Sequence, residues 1–393
     1  MPVNPRSAWS ASLAREWARL RADPWDLAML GWIPLALYVL TWAIFSAGVA
    51  HKLPLVVRDL DRSATSRSLI RMLDESPGLR VRQAASDAEA QHAIRAGLAY
   101  GIVSIPVDMQ ARLQRGERVT LQWAYNAQFP SHAGSMTRDV RTVVATLSAG
   151  AELKARIARG AGGAQAKAQL EPIATRLAPL FNESGSILPS LALPVEWSLL
   201  HMFVTLSAVT AIGRELRAAT VPAWLAAADG RLGVAVLAKL AIPFGVFLLH
   251  ATLLTVGFGA VLGWTILGSA AAMALGTVLF ILAYLALGTC IVAWSGSLRM
   301  ALSACAFVTA PAFAYAGQGF PLLAMPAIAR GWAEALPLSH FLALVNRTWL
   351  GGAPFRYSAG ALAALALLMA GFALAGYLRL STRVRQPASW GKS

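Results

Sequence analysis

Long runs of apolar residues, separated by short charged links, cover most of the chain. A run of about 18 or more apolar residues is long enough to cross a bilayer. The pattern predicts six such spans, at residues 27–50, 195–212, 234–262, 266–294, 300–316 and 357–380. Residues 1–26 alternate arginine with tryptophan, which predicts a cytoplasmic amphipathic helix on the inner membrane surface. The fold class is therefore an α-helical polytopic membrane protein.

The block between the first two spans, residues 51–194, has a different rhythm. Short β-branched runs at 53–59, 77–83, 100–106 and 118–126 alternate with segments whose apolar residues have helical spacing. From about residue 132 to 180 the pattern becomes continuously helical. Strands that alternate with helices indicate a compact α/β domain.

The remainder, residues 195–393, is predicted to be a transmembrane domain of helices 2–6 that ends in a basic cytoplasmic tail. One part of it, residues 317–354, is apolar but interrupted by nine Gly and Pro residues. Such a broken segment is allowed at membrane depth only where protein or water satisfies its backbone. We therefore expect a re-entrant or interfacial segment before helix 6.

Charge fixes the expected orientation. Only 13% of the residues are charged, against about 25% in soluble domains. The net charge of +15 could indicate nucleic acid, but membrane proteins also carry excess Lys and Arg on cytoplasmic loops. With the N-terminus inside, the short inner segments and the span ends next to them hold 13 basic residues, and the short outer segments hold three. We therefore expect no nucleic-acid partner, both termini in the cytoplasm and an extracytoplasmic α/β domain.

Three common motifs of nucleotide-binding proteins and hydrolases do not occur in the chain. It has no GxxxxGK[ST], HExxH or GxSxG motif, so we expect no P-loop nucleotide site and neither of two common classes of membrane hydrolase. Cys290 and Cys305 lie in apolar stretches without metal-ligand spacing, and no metal site is expected. His201 and His250 are interpreted as residues that hydrogen-bond between helices.

Two carboxylates, Asp59 and Asp61, follow the first predicted strand. They could form a metal-binding or acid/base pair, provided that the strand continues and places both on one face. The alternative, which we favour, is a strand-to-helix turn in which Asp61 and Ser63 cap the helix that follows.

Three segments, in this order, resemble the ABC-2 type permeases, the membrane subunits of ATP-binding-cassette exporters. LPLVVRDLDRSATSRSLIRMLDESPGLRV (53–81) resembles the start of the family's outer domain, including Asp59, Asp61 and Ser63. RAGLAYGIVSIPVDMQARLQRGE (95–117) resembles its next signature. GFPLLAMPAIARGWAEALPLSHFLALVNRTWLGG (319–352) is similar to its penultimate outer segment, with matches at Leu336, Pro337, His340 and Phe341.

The resemblance extends to the inner loop, residues 213–233, which in the family docks into the ATPase. The family pattern is roughly Arg-Glu-x-x-x-Gly-Thr followed by a short helix, and this chain has Ala219 at the Gly position and an unusual Pro222. The resemblance implies a coupling loop in which charges pair across the interface and an apolar face fills a pocket. Its candidate residues are Arg214, Glu215, Arg217, Thr220, Trp224 and Leu225.

The function implied is the permease subunit of an exporter in the bacterial inner membrane, moving a hydrophobic or amphipathic substrate. The subunit is expected to have no catalysis of its own. Its expected partners are a separate ABC ATPase that binds the ATP, a second permease (identical or related) and membrane lipids, and a periplasmic adaptor is one of the contacts open to the outer domain. The alternative is a membrane-anchored sensor or scaffold whose outer domain binds a ligand or partner.

Overall fold

The computed structural model describes residues 5–45, 51–115, 117–128, 130–158 and 188–391, and it is predominantly helical. The chain forms two compact units. One consists of residues 1–46 together with 187–393, and the other of residues 47–186. We call them the membrane unit and the α/β unit.

Six helical segments in the described part of the membrane unit are long and apolar enough to cross a membrane. They are Pro24–Phe45, Ser190–Arg217, Leu232–Val261, Ala270–Trp294, Leu298–Tyr315 and Phe355–Arg383. Each coincides with one predicted span, which confirms the six membrane-spanning helices as far as length and composition define them. The first begins at Pro24 instead of residue 27, because Asp23 caps the helix and accepts hydrogen bonds from the amides of Trp25 and Asp26.

The N-terminal segment contains three helices: α1 (Pro5–Ala22), α2 (Pro24–Leu30) and α3 (Trp32–Phe45). The sequence predicts a helix that lies on the membrane surface, yet α1 packs against another helix, α10 (Leu232–Leu262). Leu20 of α1 is only 1% exposed. One face of α1 is thus covered by protein, while Trp9 and Trp17 on its surface remain exposed.

The α/β unit contains β1 (Leu53–Asp59), α4 (Ala64–Glu75), β2 (Leu79–Gln83), α5 (Asp87–Arg95), β3 (Gly101–Ile105), α6 (Met109–Gln114), β4 (Gln122–Tyr125) and α7 (Pro130–Ala158). The sheet order is β2-β1-β3-β4; β1 is parallel to β2 and β3, and β4 is antiparallel to β3. The fourth strand is shorter than the predicted 118–126. The predicted continuation of the last helix, over residues 159–180, lies outside the described residues.

The larger core of the α/β unit lies on one face of this sheet, and a smaller cluster around Val56 packs against α5 on the other. Leu55 and Val57 of β1 and Leu69 and Leu73 of α4 are completely buried. Met136 of α7 joins them. The continuous β-branched run of β1 and the helical spacing of apolar residues along α4 are the patterns that predicted these elements.

The membrane unit continues with α8 (Leu193–Arg217), α9 (Val221–Ala227), α10, α11 (Ala270–Trp294), α12 (Leu298–Thr309), α13 (Ala312–Tyr315), α14 (Ala327–Glu334), α15 (Pro337–Leu344) and α16 (Ala359–Arg383). Helix α11 packs against α8 and α16 at its centre. A Cβ on Gly288 of α11 would lie 2.7 Å from the backbone oxygen of Thr205 on α8. Small residues that allow such close approach are typical of helix packing in membranes.

The predicted re-entrant region is a series of short helical pieces: a 3₁₀ turn, α14, α15 and a π-helical turn at Val345–Leu350. Backbone amides of the α10–α11 link bond to this π-helical turn, from Leu267 to the Trp349 carbonyl (3.1 Å) and from Gly268 to that of Thr348 (2.9 Å). These contacts satisfy part of the irregular backbone. Its depth in the membrane stays a prediction.

Candidate functional site

The segment predicted to be a charged inner loop, residues 213–233, is a helix–turn–helix. Helix α8 extends to Arg217, the chain turns at Ala219, and α9 precedes a second turn and α10. Ala219 has φ = 54°, in the left-handed region where a glycine is favoured by roughly 1 kcal/mol. This accounts for the glycine that the ABC-2 resemblance expects at this position.

Glu215 on the last turn of α8 is buried in a pocket of cations. Its carboxylate accepts two hydrogen bonds from the Arg15 guanidinium, at 2.6 and 2.9 Å, and one from Lys239 Nζ at 2.8 Å. The Thr220 hydroxyl donates a further one at 2.5 Å. Glu215 thereby joins α1, α8, the turn after α8, and α10.

The contacts extend from Glu215 to a second carboxylate and beyond. Lys239 also donates to Glu16 at 2.5 Å. Arg19 bridges Glu16 and Asp26, at 2.6 Å to each, and Arg214 contacts Asp26 at 2.8 Å. Four cations and four carboxylates take part, so their formal charges sum to zero. We name the group the ion-pair cluster: Arg15, Glu16, Arg19, Asp23, Asp26, Arg214, Glu215 and Lys239.

Because the centre of this cluster is buried, each charged group in it needs a partner of opposite charge. Glu16, Glu215 and Lys239 are 2% exposed, and a buried charge is tolerated only when it is paired and hydrogen-bonded. The hydrogen bond to Glu215 raises the pKa of Arg15. Burial opposes ionisation of Arg19, but its bonds to two carboxylates outweigh that effect and raise its pKa.

At the rim of the cluster, Asp23 accepts a hydrogen bond from Arg214. This bond is the main reason that the pKa of Asp23 lies below its usual value. Asp23 also caps α2, so the start of the first span is attached to the end of the second.

Trp224 of α9 is also turned inward. It is 2% exposed, its indole N–H donates to the Ala235 carbonyl at 3.2 Å, and its ring lies 5.6 Å from Lys239 Nζ.

The expectation that Glu215 and Trp224 reach across an interface is therefore wrong for these two side chains, since both have internal partners. Leu225 is half-buried. The exposed residues of the segment are instead Arg217, Ala218, Ala219, Thr220, Pro222, Ala223, Ala226, Asp229, Gly230 and Arg231.

The outer-domain motif is a structural turn. Asp59 accepts hydrogen bonds from the amides of Asp61 and Arg62 and from the Ser66 hydroxyl. Ser63 caps α4 in a reciprocal arrangement with Ser66, which confirms its predicted role. Asp61 does not cap α4: it accepts the Gln110 amide at 3.2 Å, at the start of α6.

No group of three His, Cys, Asp or Glu side chains in the described ranges is placed to hold a metal ion.

Of the four matched residues of the 319–352 segment, Leu336 is the N-cap of α15 and the other three lie on α15. Pro337 is its first residue, and Phe341 is buried against Phe280 with ring centroids 4.2 Å apart. The imidazole of His340 bonds to the Glu334 carbonyl at 2.7 Å. His340 thereby links α15 to the end of α14, and Phe341 packs α15 against α11.

Sequence reasoning missed six members of the cluster: Arg15, Glu16, Arg19, Asp23, Asp26 and Lys239. One signal was present. Lys239 lies five residues inside a predicted span, where a cation requires a partner. Glu16, Asp23 and Asp26 are the three acids of an otherwise basic N-terminal segment. Nothing local in the sequence pairs residues that are 24 to 223 positions apart.

Comparison with protein families identifies a match over most of the chain. The family described as ABC-2 family transporter protein matches residues 24–378. Comparison with curated proteins gives no match.

Proposed function

The chain belongs to the ABC-2 family of transporter proteins, and from that premise we propose that it is the permease subunit of an exporter. Family membership makes it a membrane component of an ABC transporter, whose general partner is an ABC ATPase. In our proposal ATP is bound and hydrolysed on that separate subunit, and a second permease completes the pathway. The cargo is hydrophobic or amphipathic and leaves the cell across the inner membrane.

The observation that carries the proposal is the attachment of α9 to the ion-pair cluster. Glu215, Thr220 and Trp224 fix α9 and the turn before it to α1, α8 and α10 through internal bonds. A displacement of α9 by a protein bound to its exposed side is therefore transmitted to α1 and to the two spans α8 and α10 together. Such rigid-body displacement is a common means of switching.

In this scheme the contact with the ATPase is made by the exposed residues of 217–231. They present Ala223 and Ala226 on α9, with Arg217, Asp229 and Arg231 around them. A small apolar centre with a charged rim is typical of a protein interface.

A charge placed in that centre tests the docking. We expect Ala223→Glu to reduce copurification of the ATPase in mild detergent at least tenfold, the equivalent of about 1.4 kcal/mol, because it buries an unpaired charge at the interface. The helix itself should tolerate the change, since acids are favoured in a first helical turn. The matched control is Ala327→Glu, at an exposed first-turn position of α14.

Unchanged copurification and transport in Ala223→Glu would show that α9 is a connector, and would favour the sensor or scaffold alternative. The abundance of both variants in the membrane is measured alongside. It should equal that of the wild type because both positions are exposed.

The orientation proposed is cytoplasmic termini with an extracytoplasmic α/β unit, as the distribution of basic residues favours. Ala88, exposed on α5, and Ala226, exposed on α9, form a matched pair for testing it. In intact cells an impermeant maleimide should label Ala88→Cys and leave Ala226→Cys unlabelled until lysis. The unsubstituted chain gives the background from Cys290 and Cys305. The reverse result would overturn the orientation without affecting the docking test.

A further inference from the structure

A second polar site lies at the other end of the same helices. A cavity of about 240 Å³ is lined by α3, α8 and α10. It includes Glu196, 19 residues before Glu215 on α8, a separation of about 28 Å along a helix. The cavity is therefore separate from the ion-pair cluster and shares no residue with it.

Three buried polar groups line this cavity without a partner. Tyr38 Oη, Glu196 Oε2 and His250 Nδ1 have no hydrogen-bond partner among the described residues. The three residues are only 4%, 1% and 2% exposed. Most buried polar atoms in proteins are bonded, and an unpartnered one costs about 1–3 kcal/mol. Three of them in one cavity indicate a place for a ligand.

The rest of the wall is apolar or aromatic. Trp42 and Phe258 contribute large rings, and the Tyr38 ring meets the His250 ring edge-on with centroids 5.9 Å apart. At the mouth, Val39 and Val261 are 63% and 67% exposed on the apolar surface of the spans. A ligand can therefore place a polar head in the cavity while its apolar body extends along this surface.

We propose that this cavity binds a protonated amine attached to an apolar body, with the ammonium on Glu196 and the body against Trp42 and Phe258. A cation supplies the counter-charge that the Glu196 carboxylate lacks, and aromatic faces attract cations further. The Tyr38 oxygen accepts a second ammonium hydrogen. An anionic head would instead meet the carboxylate, since no Lys or Arg is among the described lining residues.

The test uses the full chain, purified without ATPase or nucleotide, so its result does not depend on the proposed coupling. Dodecylamine, which is protonated at pH 7, is compared with the neutral dodecanol by equilibrium dialysis against protein-free dodecyl maltoside micelles. We expect at least tenfold tighter binding of dodecylamine to the wild type. Glu196→Gln should abolish this preference and leave dodecanol binding unchanged.

Two further variants control for folding and for bulk charge. Glu196→Asp keeps the charge and should retain part of the preference. Glu334→Gln removes an exposed carboxylate outside the cavity and should bind like the wild type. The proposal is overturned if wild-type protein binds both probes equally, or if Glu196→Gln retains the preference for dodecylamine.

The amine can come from a free molecule or from a lipid head group. Native mass spectrometry in dodecyl maltoside, with phosphatidylethanolamine or phosphatidylglycerol added, separates the two sources. Retention of phosphatidylethanolamine by the wild type but not by Glu196→Gln assigns a lipid head group. Dodecylamine binding that phosphatidylethanolamine does not compete with assigns a free amine.

Discussion

Buried carboxylates at the two ends of the membrane unit differ in whether they have partners. In the ion-pair cluster, each carboxylate contacts at least one cation, and Glu16, Asp26 and Glu215 each contact two. Around the cavity, Glu196 is as deeply buried as Glu215 but has an oxygen with no partner. Both residues lie on α8, so the difference comes from the neighbours that the fold supplies.

The difference means that the carboxylates of the ion-pair cluster stabilise the packing of the helices, whereas the Glu196 carboxylate is available to a ligand. A fully paired network fixes the relative positions of α1, α8 and α10, and breaking it leaves a charge uncompensated. An unpartnered carboxyl holds no element in place, and removing it should relieve a cost. Substitutions at the two ends should therefore change stability in opposite directions.

The largest effect is expected from Lys239→Met. This change leaves Glu16 and Glu215 without their shared cation, and breaking a buried pair typically costs about 3–5 kcal/mol. Because both carboxylates keep an arginine partner, we expect about 3 kcal/mol, or roughly 10 °C in the unfolding midpoint. The midpoint is followed by tryptophan fluorescence in dodecyl maltoside.

Arg299→Met provides the matched control, because Arg299 is exposed and should change stability by no more than about 0.5 kcal/mol. A double-mutant cycle of Lys239→Met with Glu16→Gln isolates that pair, with an expected coupling of about 1–3 kcal/mol. Equal, small effects of Lys239→Met and Arg299→Met would show that the cluster is not what holds α10 to α1.

A smaller effect of opposite sign is expected from Glu196→Leu. The substitution removes an unpartnered buried carboxyl and keeps a similar side-chain volume, so the variant should be more stable by about 1 kcal/mol. The same midpoint measurement applies, without added amine. Glu334→Leu, at an exposed position, should stay near the wild type. A loss of stability in Glu196→Leu would mean that the carboxyl has a structural partner, and the contrast between the two ends would fail.

The fold was predictable where the determining signals are local. Six apolar runs became six candidate spans, and Ser63 caps α4 because its partner Ser66 is only three residues away. Asp61 was assigned to the wrong helix, since its actual partner, Gln110, is 49 residues further along. The start of the first span was displaced because the Asp23–Pro24 start signal lies outside the apolar run.

The candidate site was predictable only in part, and for the same reason. The resemblance located residues 213–233 and identified Glu215, but it assigned this side chain to an external partner. The Arg15 guanidinium that pairs with Glu215 lies 200 residues away, and no periodicity in the sequence relates them. The burial of Trp224 likewise depends on Ala235 in the next helix.

The smallest effect is expected at the rim, from Asp23→Asn. Asparagine can still accept the hydrogen bonds that cap α2, so the change isolates the charge that pairs with Arg214. Because Asp23 is partly exposed, we expect the free energy of unfolding to fall by less than about 1 kcal/mol at pH 7.

The pKa of Asp23 is lowered in the folded protein, so the stabilisation is present above the unfolded-state pKa and is lost as pH falls through the folded-state value. The midpoint difference between wild type and Asp23→Asn should thus be largest near pH 7 and shrink below about pH 4. A difference that stays constant from pH 7 to 3 would assign the effect to capping instead of to the ion pair, and the rim would no longer belong to the charge network.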